Sequence, residues 1–132
     1  MLSMIKVRRD DATDLTIFEA VAPVRAQEIL TRMAEFYAGE PTRLVLWDFT
    51  NIDLSDISFD DVRTIANLSA DRGHDRPGGR TAIVASEQVT YGLSRIYQSY
   101  RGIADQSVET GTFRERSEAE AFLGISDADS DN

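Results

Sequence analysis

The side chains best suited to chemistry in this 132-residue chain are crowded into one stretch. Asp48, Asp53, Asp56, Asp60 and Asp61 fall between positions 48 and 61, interleaved with Thr50, Ser55 and Ser58. Carboxylates at that density suit a hard cation such as magnesium, and Asp48, Asp53 and Asp56 are the set a carboxylate-dependent hydrolase would use. Four of these acids also sit where a helix begins, and unpaired N–H groups at a helix N-terminus stabilise carboxylates with no ligand at all. The remaining catalytic equipment is sparse. There is no cysteine, and the one histidine, His74, lies in a Gly/Pro-rich connector. No Ser-His-Asp set can be drawn around it, and zinc would lack its usual ligands. The expectation is a protein that is not an enzyme and that holds no cofactor and no metal.

The elements that must position this stretch follow from its flanks. Leu44, Val45, Leu46 and Trp47 are apolar without alternation, as in a strand covered on both faces of a parallel or mixed sheet. Asp48 follows at the carboxyl end, and Ser58 with Asp61 forms a relative of the capping box that opens the next helix, running to about Arg72. A loop between the carboxyl end of a strand and a helix is where open α/β sheets place their ligands. Asp48, Thr50, Asp53 and Asp56 are therefore the candidate binding loop, joined by Ser86 from the end of the following strand.

The rest of the chain supplies a frame. Met4–Arg9 and Asp14–Val21, joined by a polar cluster, read as a β-hairpin. Pro23 suits the first turn of a helix, and Ala26, Ile29, Leu30, Met33, Ala34 and Tyr37 recur at helical spacing, with Glu28 and Arg32 four apart on the other side. Gly39 and Pro41 end it. The segment His74–Arg80, with Arg72, concentrates arginines, but its glycines follow a helix rather than a strand, so it reads as a turn and not as an anion-binding loop. Thr81–Ala85 is a short buried strand, Ser86 a candidate N-cap, and Val89, Leu93, Ile96, Tyr97 and Tyr100 a helical stripe ended by Gly102. Gly92 within that stripe suggests close packing on a neighbouring backbone. Gln106–Thr110 reads as a last strand. Ser117 with Glu120 forms a capping box for a terminal helix whose Ala121, Phe122 and Leu123 turn inward, stopped by Gly124. The expected fold class is α/β, a mixed sheet of about five strands in the order β-β-α-β-α-β-α-β-α with helices packed on it. Residues 1–124 form one domain and 125–132 an acidic disordered tail.

Composition narrows the partners. Acidic residues number 23 against 14 basic ones, for a formal charge of −9. Such a chain is repelled by nucleic-acid backbones and anionic lipid surfaces. No apolar run is long enough for a membrane span or a signal peptide, so no membrane insertion and a cytoplasmic location are expected.

Three stretches carry a resemblance to a known family. Leu44–Asp48 with Thr50, then Thr81–Ser86 followed by Tyr91-Gly92-Leu93-Ser94-Arg95-Ile96-Tyr97, and finally Phe113-Arg114 with Ser117–Leu123, resemble the SpoIIAA-like family. That family belongs to the STAS domain superfamily, typified by bacterial anti-sigma-factor antagonists, and is sometimes grouped with CRAL-TRIO-like folds. The resemblance implies a single STAS-like domain and a non-enzymatic regulatory or scaffold role. It implies binding of a protein partner through the loop after the third strand and the start of the second helix. In the antagonists a serine there is phosphorylated to break partner binding; Ser58 is the nearest match by position and Ser55 the second. The Ser-Ser-Gly context of that switch is absent here, and Asp60 and Asp61 flank Ser58. The CRAL-TRIO likeness implies the alternative, a small apolar or lipid ligand near Phe49, Ile52, Leu54, Ile57 and Phe59. Asp48 followed by Thr50 also resembles the start of an aspartyl-phosphate phosphatase motif, whose second aspartate is here Thr50. Self-association into a homo-oligomer is expected through Tyr91, Arg95 and Tyr100, off or at the edge of the third helix's core stripe.

Overall fold

Strand β3 (Leu44–Asp48) is the middle strand of a five-stranded sheet, and every one of its residues is buried. The computed structural model describes residues 4–104 and 107–125. Their order is β1 (Ile5–Asp10), β2 (Leu15–Ala20), α1 (Ala26–Ala38), β3, α2 (Phe59–Asp71), β4 (Gly79–Val84), α3 (Gln88–Ala104), β5 (Val108–Phe113) and α4 (Arg116–Leu123). The sheet runs β1-β2-β3-β4-β5, with β1 antiparallel to β2 and every other pair parallel. This is the mixed α/β architecture that the alternation of strand and helix patterns implies.

Each parallel crossover advances one strand in the same direction, and crossovers of one hand then set their helices on one face. The period-two side-chain geometry of the strands divides the core accordingly. Phe18, Val45, Trp47 and Ile83 meet Ile29, Met33 and Tyr37 of α1, Val62 and Ile65 of α2, and Leu93 of α3. Leu15, Ile17, Leu44, Leu46, Ala82 and Val84 point the other way, where Ala119 and Leu123 of α4 cover them. The continuous apolar run of β3 is thus explained by helices on both sides. Trp47 anchors the larger layer, stacked on Phe18 at 4.0 Å between ring centroids and next to Phe49 at 6.0 Å.

Arg76 ties the amino ends of the strands. It is 3% exposed, and its guanidinium donates to the carbonyls of Thr42, Arg43 and Arg80 and to the Thr81 hydroxyl, at 2.9 to 3.0 Å. The backbones crowd there: a Cβ on Gly79 would stand 2.8 Å from the Arg76 carbonyl oxygen. The connector is therefore ordered by its arginines. Arg72 pairs with Asp75 and donates to the Tyr37 carbonyl, Arg80 pairs with Glu109 and donates to the Phe122 carbonyl, and a short 3₁₀ turn spans Gly73–Asp75.

The chain departs from its sequence pattern mainly at element ends. Helix α1 starts at Ala26, after Pro23, and Glu28 turns back to the Arg25 and Met4 N–H groups while Arg32 pairs with Glu35. Ala34 is exposed. Helix α3 begins at Gln88, so Ser86 does not cap it, and it runs past Gly102. Val89 is 50% exposed, and Gly92 has no neighbour that a Cβ would touch, so neither belongs to a packed stripe. Strand β5 is Val108–Phe113, later than the expected segment, whose Gln106 lies outside the described residues. The box opening α4 is Glu115 with Glu118, two residues ahead of Ser117 and Glu120, because the buried set is Ala119, Glu120 and Leu123. Ala121 is exposed, while Phe122 lies against Phe113 at 5.2 Å. Gly124 closes the helix with φ +77°, a left-handed conformation that glycine takes without strain. Ile125 packs on the second core cluster; residues 126–132 of the acidic segment lie outside the described residues.

Candidate functional site

The loop from Phe49 to Ser58 is built by an inward apolar set and an outward polar one. Phe49, Ile52, Leu54 and Ile57 are buried, and Thr50, Asn51, Asp53, Ser55, Asp56 and Ser58 are exposed. Its first step continues the sheet, as the Phe49 N–H donates to the Val84 carbonyl at 2.9 Å. Asp48 then folds the chain over itself: its Oδ1 accepts both the N–H of Thr50, at 2.9 Å, and the Thr50 hydroxyl, the local turn that aspartate favours. Asn51 follows with φ +62°, a conformation asparagine tolerates better than most residues. Its N–H donates to the Ser86 hydroxyl at 2.8 Å. Ser86 is thus a strut of the loop from the neighbouring strand end.

The tip is clamped by Thr90, which is fully buried in the first turn of α3. The Thr90 hydroxyl donates to the Ile52 carbonyl at 2.6 Å and accepts the Leu54 N–H at 3.0 Å. Asp53 accepts the Ser55 N–H at 2.8 Å, giving a second local turn. Ser58 closes the loop as N-cap of α2: its hydroxyl accepts the Asp61 N–H and the Asp61 carboxylate accepts the Ser58 N–H, both at 3.0 Å. The acids that looked ligand-like thus have identifiable structural work in Asp48, Asp53 and Asp61.

Asp48 is also engaged on its other oxygen. Arg116, at the head of α4, reaches Oδ2 at 3.1 Å, and the same guanidinium lies 3.6 Å from Glu19 and 3.4 Å from Glu120. Both oxygens of the buried Asp48 carboxylate are therefore committed. Among the described residues no group of three or more His, Asp or Glu side chains is gathered closely enough to hold a metal ion.

The surface outside the loop has a distinct character. Phe59, the first residue of α2, is 63% exposed, in contrast to Phe49, Ile52, Leu54 and Ile57. Val89, beside the Thr90 clamp, is 50% exposed. Asp53, Asp56, Asp60 and Glu87 stand exposed around them at the same end of the sheet. Behind the loop lies an apolar cavity of about 60 Å³, lined among others by Phe49, Leu54, Ile57, Val62, Ile83 and Leu93.

The three residues expected at an oligomer interface are not gathered into one exposed patch with Tyr97. Tyr91 is half-buried with the Arg114 guanidinium 4.1 Å over its ring, and Arg95 reaches its hydroxyl at 3.5 Å. Tyr97 and Tyr100 pack against the core. The Tyr97 hydroxyl meets Ser69, itself 2% exposed, at 2.9 Å. Burial pushes the Tyr97 pKa up, and the Ser69 hydrogen bond and nearby Arg101 only partly oppose it.

Thr90 and Arg116 are the positions sequence reading missed. Thr90 acts on Leu54, 36 positions away, and Arg116 on Asp48, 68 positions away, and neither sits in a motif. Neither protein-family models, nor curated proteins, nor solved structures give a match to this chain.

Proposed function

We propose that the chain is a non-enzymatic regulatory or scaffold domain that binds a protein partner through the loop after β3 and the start of α2. The observation that carries this reading is Phe59: a large aromatic side chain left 63% exposed at the head of a fully capped helix, beside a loop held rigid from behind. Aromatic anchors on rigid frames are what interface hot spots are made of. The surrounding Asp53, Asp56, Asp60 and Glu87 favour a partner with an apolar pocket and a basic rim. The likeness of the sequence to the SpoIIAA-like branch of STAS domains agrees with this role and with the same loop. Of the two serines implied as switch positions, Ser58 spends its hydroxyl oxygen as a cap, and Ser55 stands exposed on the outer side of the loop.

The test is affinity capture from the native host with the intact protein, Phe59→Asp and Arg95→Glu side by side. The reading expects a partner retained by Arg95→Glu and lost with Phe59→Asp. Identical partner sets for all three proteins would end it.

The apolar cavity supports a second reading, a small apolar ligand behind the loop. Its volume of about 60 Å³ is well under the ~150 Å³ of a cavity that takes up benzene, so a lipid chain needs the loop to open. Native mass spectrometry and thermal shifts with short-chain and long-chain fatty acids decide it; a clean apo mass with no shift would remove this reading.

A further inference from the structure

The cavity behind the loop has a wall chemistry and a size that together define what it can hold. Its volume is about 60 Å³, and its wall is drawn from the loop (Leu54, Ile57), from α2 (Val62, Ile65) and from Trp47 and Ile83, which pair across β3 and β4 one residue short of the strands' carboxyl ends. Ligands of open α/β sheets lie at that end. Protein interiors leave few voids larger than a water molecule. A water takes roughly 10–15 Å³ of such space, so this cavity has the volume of about four to six.

The wall nevertheless offers water nothing. No polar atom of a described residue faces the cavity. Ser94 and Tyr97 border it, and both hydroxyls are spent elsewhere: Ser94 donates to the Thr90 carbonyl at 2.8 Å, and Tyr97 meets Ser69 at 2.9 Å. A buried water needs roughly two to four polar partners, so this wall does not hold one. A carboxylate or hydroxyl buried with no partner is strongly disfavoured too, which rules out a polar occupant. Size sets the other limit. A dry cavity of ~150 Å³ takes the six carbons of benzene, and in proportion this one takes about two to three.

We propose that the cavity is a binding site for an uncharged hydrocarbon of about two or three carbons, held by shape and apolar contact alone. This rests on the small-ligand reading of the same cavity and narrows it, because a ligand that brings a polar head inside is excluded. The path of entry is the loop, the one part of the wall that lies outside a helix or strand. Segments of that kind open more readily than packed elements. An occupant touches the loop, α2 and both central strands at once, so it ties the loop to the helix that carries Phe59 at its head, in addition to the Thr90 clamp. The Phe59 ring is exposed and is not part of the site.

The test follows methyl chemical shifts of the isotope-labelled protein under xenon, under propane and with octanoate. Expected are saturable shifts at Leu54, Ile57, Val62 and Ile65 with xenon and propane, and none there with octanoate. Val62→Leu adds a methylene at the wall and is expected to weaken propane binding at least fivefold. Ile57→Val removes one and is expected to take up butane at least fivefold more tightly than the unaltered protein does. The two variants change the cavity in opposite directions, so a fold lost in one leaves the other to decide. Propane affinity unchanged by Val62→Leu, butane affinity unchanged by Ile57→Val, or shifts that never saturate and spread over the whole protein overturn the proposal. Octanoate acting at these four residues also overturns it but leaves the small-ligand reading standing. No response to any of the three probes ends both.

Discussion

The Thr90 hydroxyl accepts the Leu54 N–H at 3.0 Å, across 36 positions of sequence, and donates to the Ile52 carbonyl in the same gesture. One buried side chain therefore satisfies two backbone groups of the loop after β3. Replacement by valine keeps the shape and removes both partners. Leaving buried polar groups unpaired costs on the order of 1–3 kcal/mol. Thr90→Val is expected to lose about 2 kcal/mol in urea unfolding and to speed amide exchange at Leu54. A loss under about 0.5 kcal/mol would show that the clamp is dispensable.

Ser58 and Phe59 are adjacent but carry different loads. Ser58→Ala removes the N-cap of α2 and is expected to lower stability by about 1 kcal/mol. Phe59→Ala, at an exposed position, is expected to change stability by no more than about 0.5 kcal/mol while abolishing partner capture. Chemical denaturation and capture measured on the same two proteins check this. A large destabilisation by Phe59→Ala would make that ring part of the fold.

Arg76 holds three carbonyls and a hydroxyl in a site 3% exposed. The planar fork is what fits, and lysine has neither its geometry nor its five donors. Arg76→Lys is expected to lose roughly 3 kcal/mol, since several buried acceptors are orphaned together. Urea midpoints decide; an effect below about 1 kcal/mol would mean that water replaces the guanidinium.

Tyr97 links the core to pH. Its pKa is raised by burial, so the folded state holds the phenolic proton at a pH where the unfolded chain, near 10, releases it. Its contribution to stability is complete below about pH 10 and is lost as pH rises through the elevated folded value. Tyr97→Phe is expected to flatten the alkaline fall in stability relative to the unaltered protein, read from urea unfolding between neutral pH and pH 11. Parallel curves would assign the fall to other groups.

Much of the frame was written locally. The unalternating run Leu44–Trp47, the helical stripe through Ile29, Met33 and Tyr37, and the Ser58/Asp61 box depend on neighbours within a few positions, and each appears where its pattern puts it. The α/β order and the five-stranded mixed sheet follow from such segments in sequence. Element ends were less legible. Ser86 and Ser117 have the side chains of caps, but the helices beside them start where burial of Thr90 and Ala119 sets their phase, so Glu87 and Glu115 precede them.

The sequence by itself determined the composition of the loop: which residues are apolar, which are acidic, and that a helix begins at its end. Only the tertiary structure decided what those residues do. The second oxygen of Asp48 is held because Arg116 arrives from α4, the loop tip is clamped because Thr90 arrives from α3, and Phe59, just past the loop, stays outside while the loop's own apolar residues are buried. The reason is distance along the chain. Local patterns fix backbone conformation through neighbours one turn away, whereas a side chain's burial and its polar partners are set by packing between elements that no short window contains.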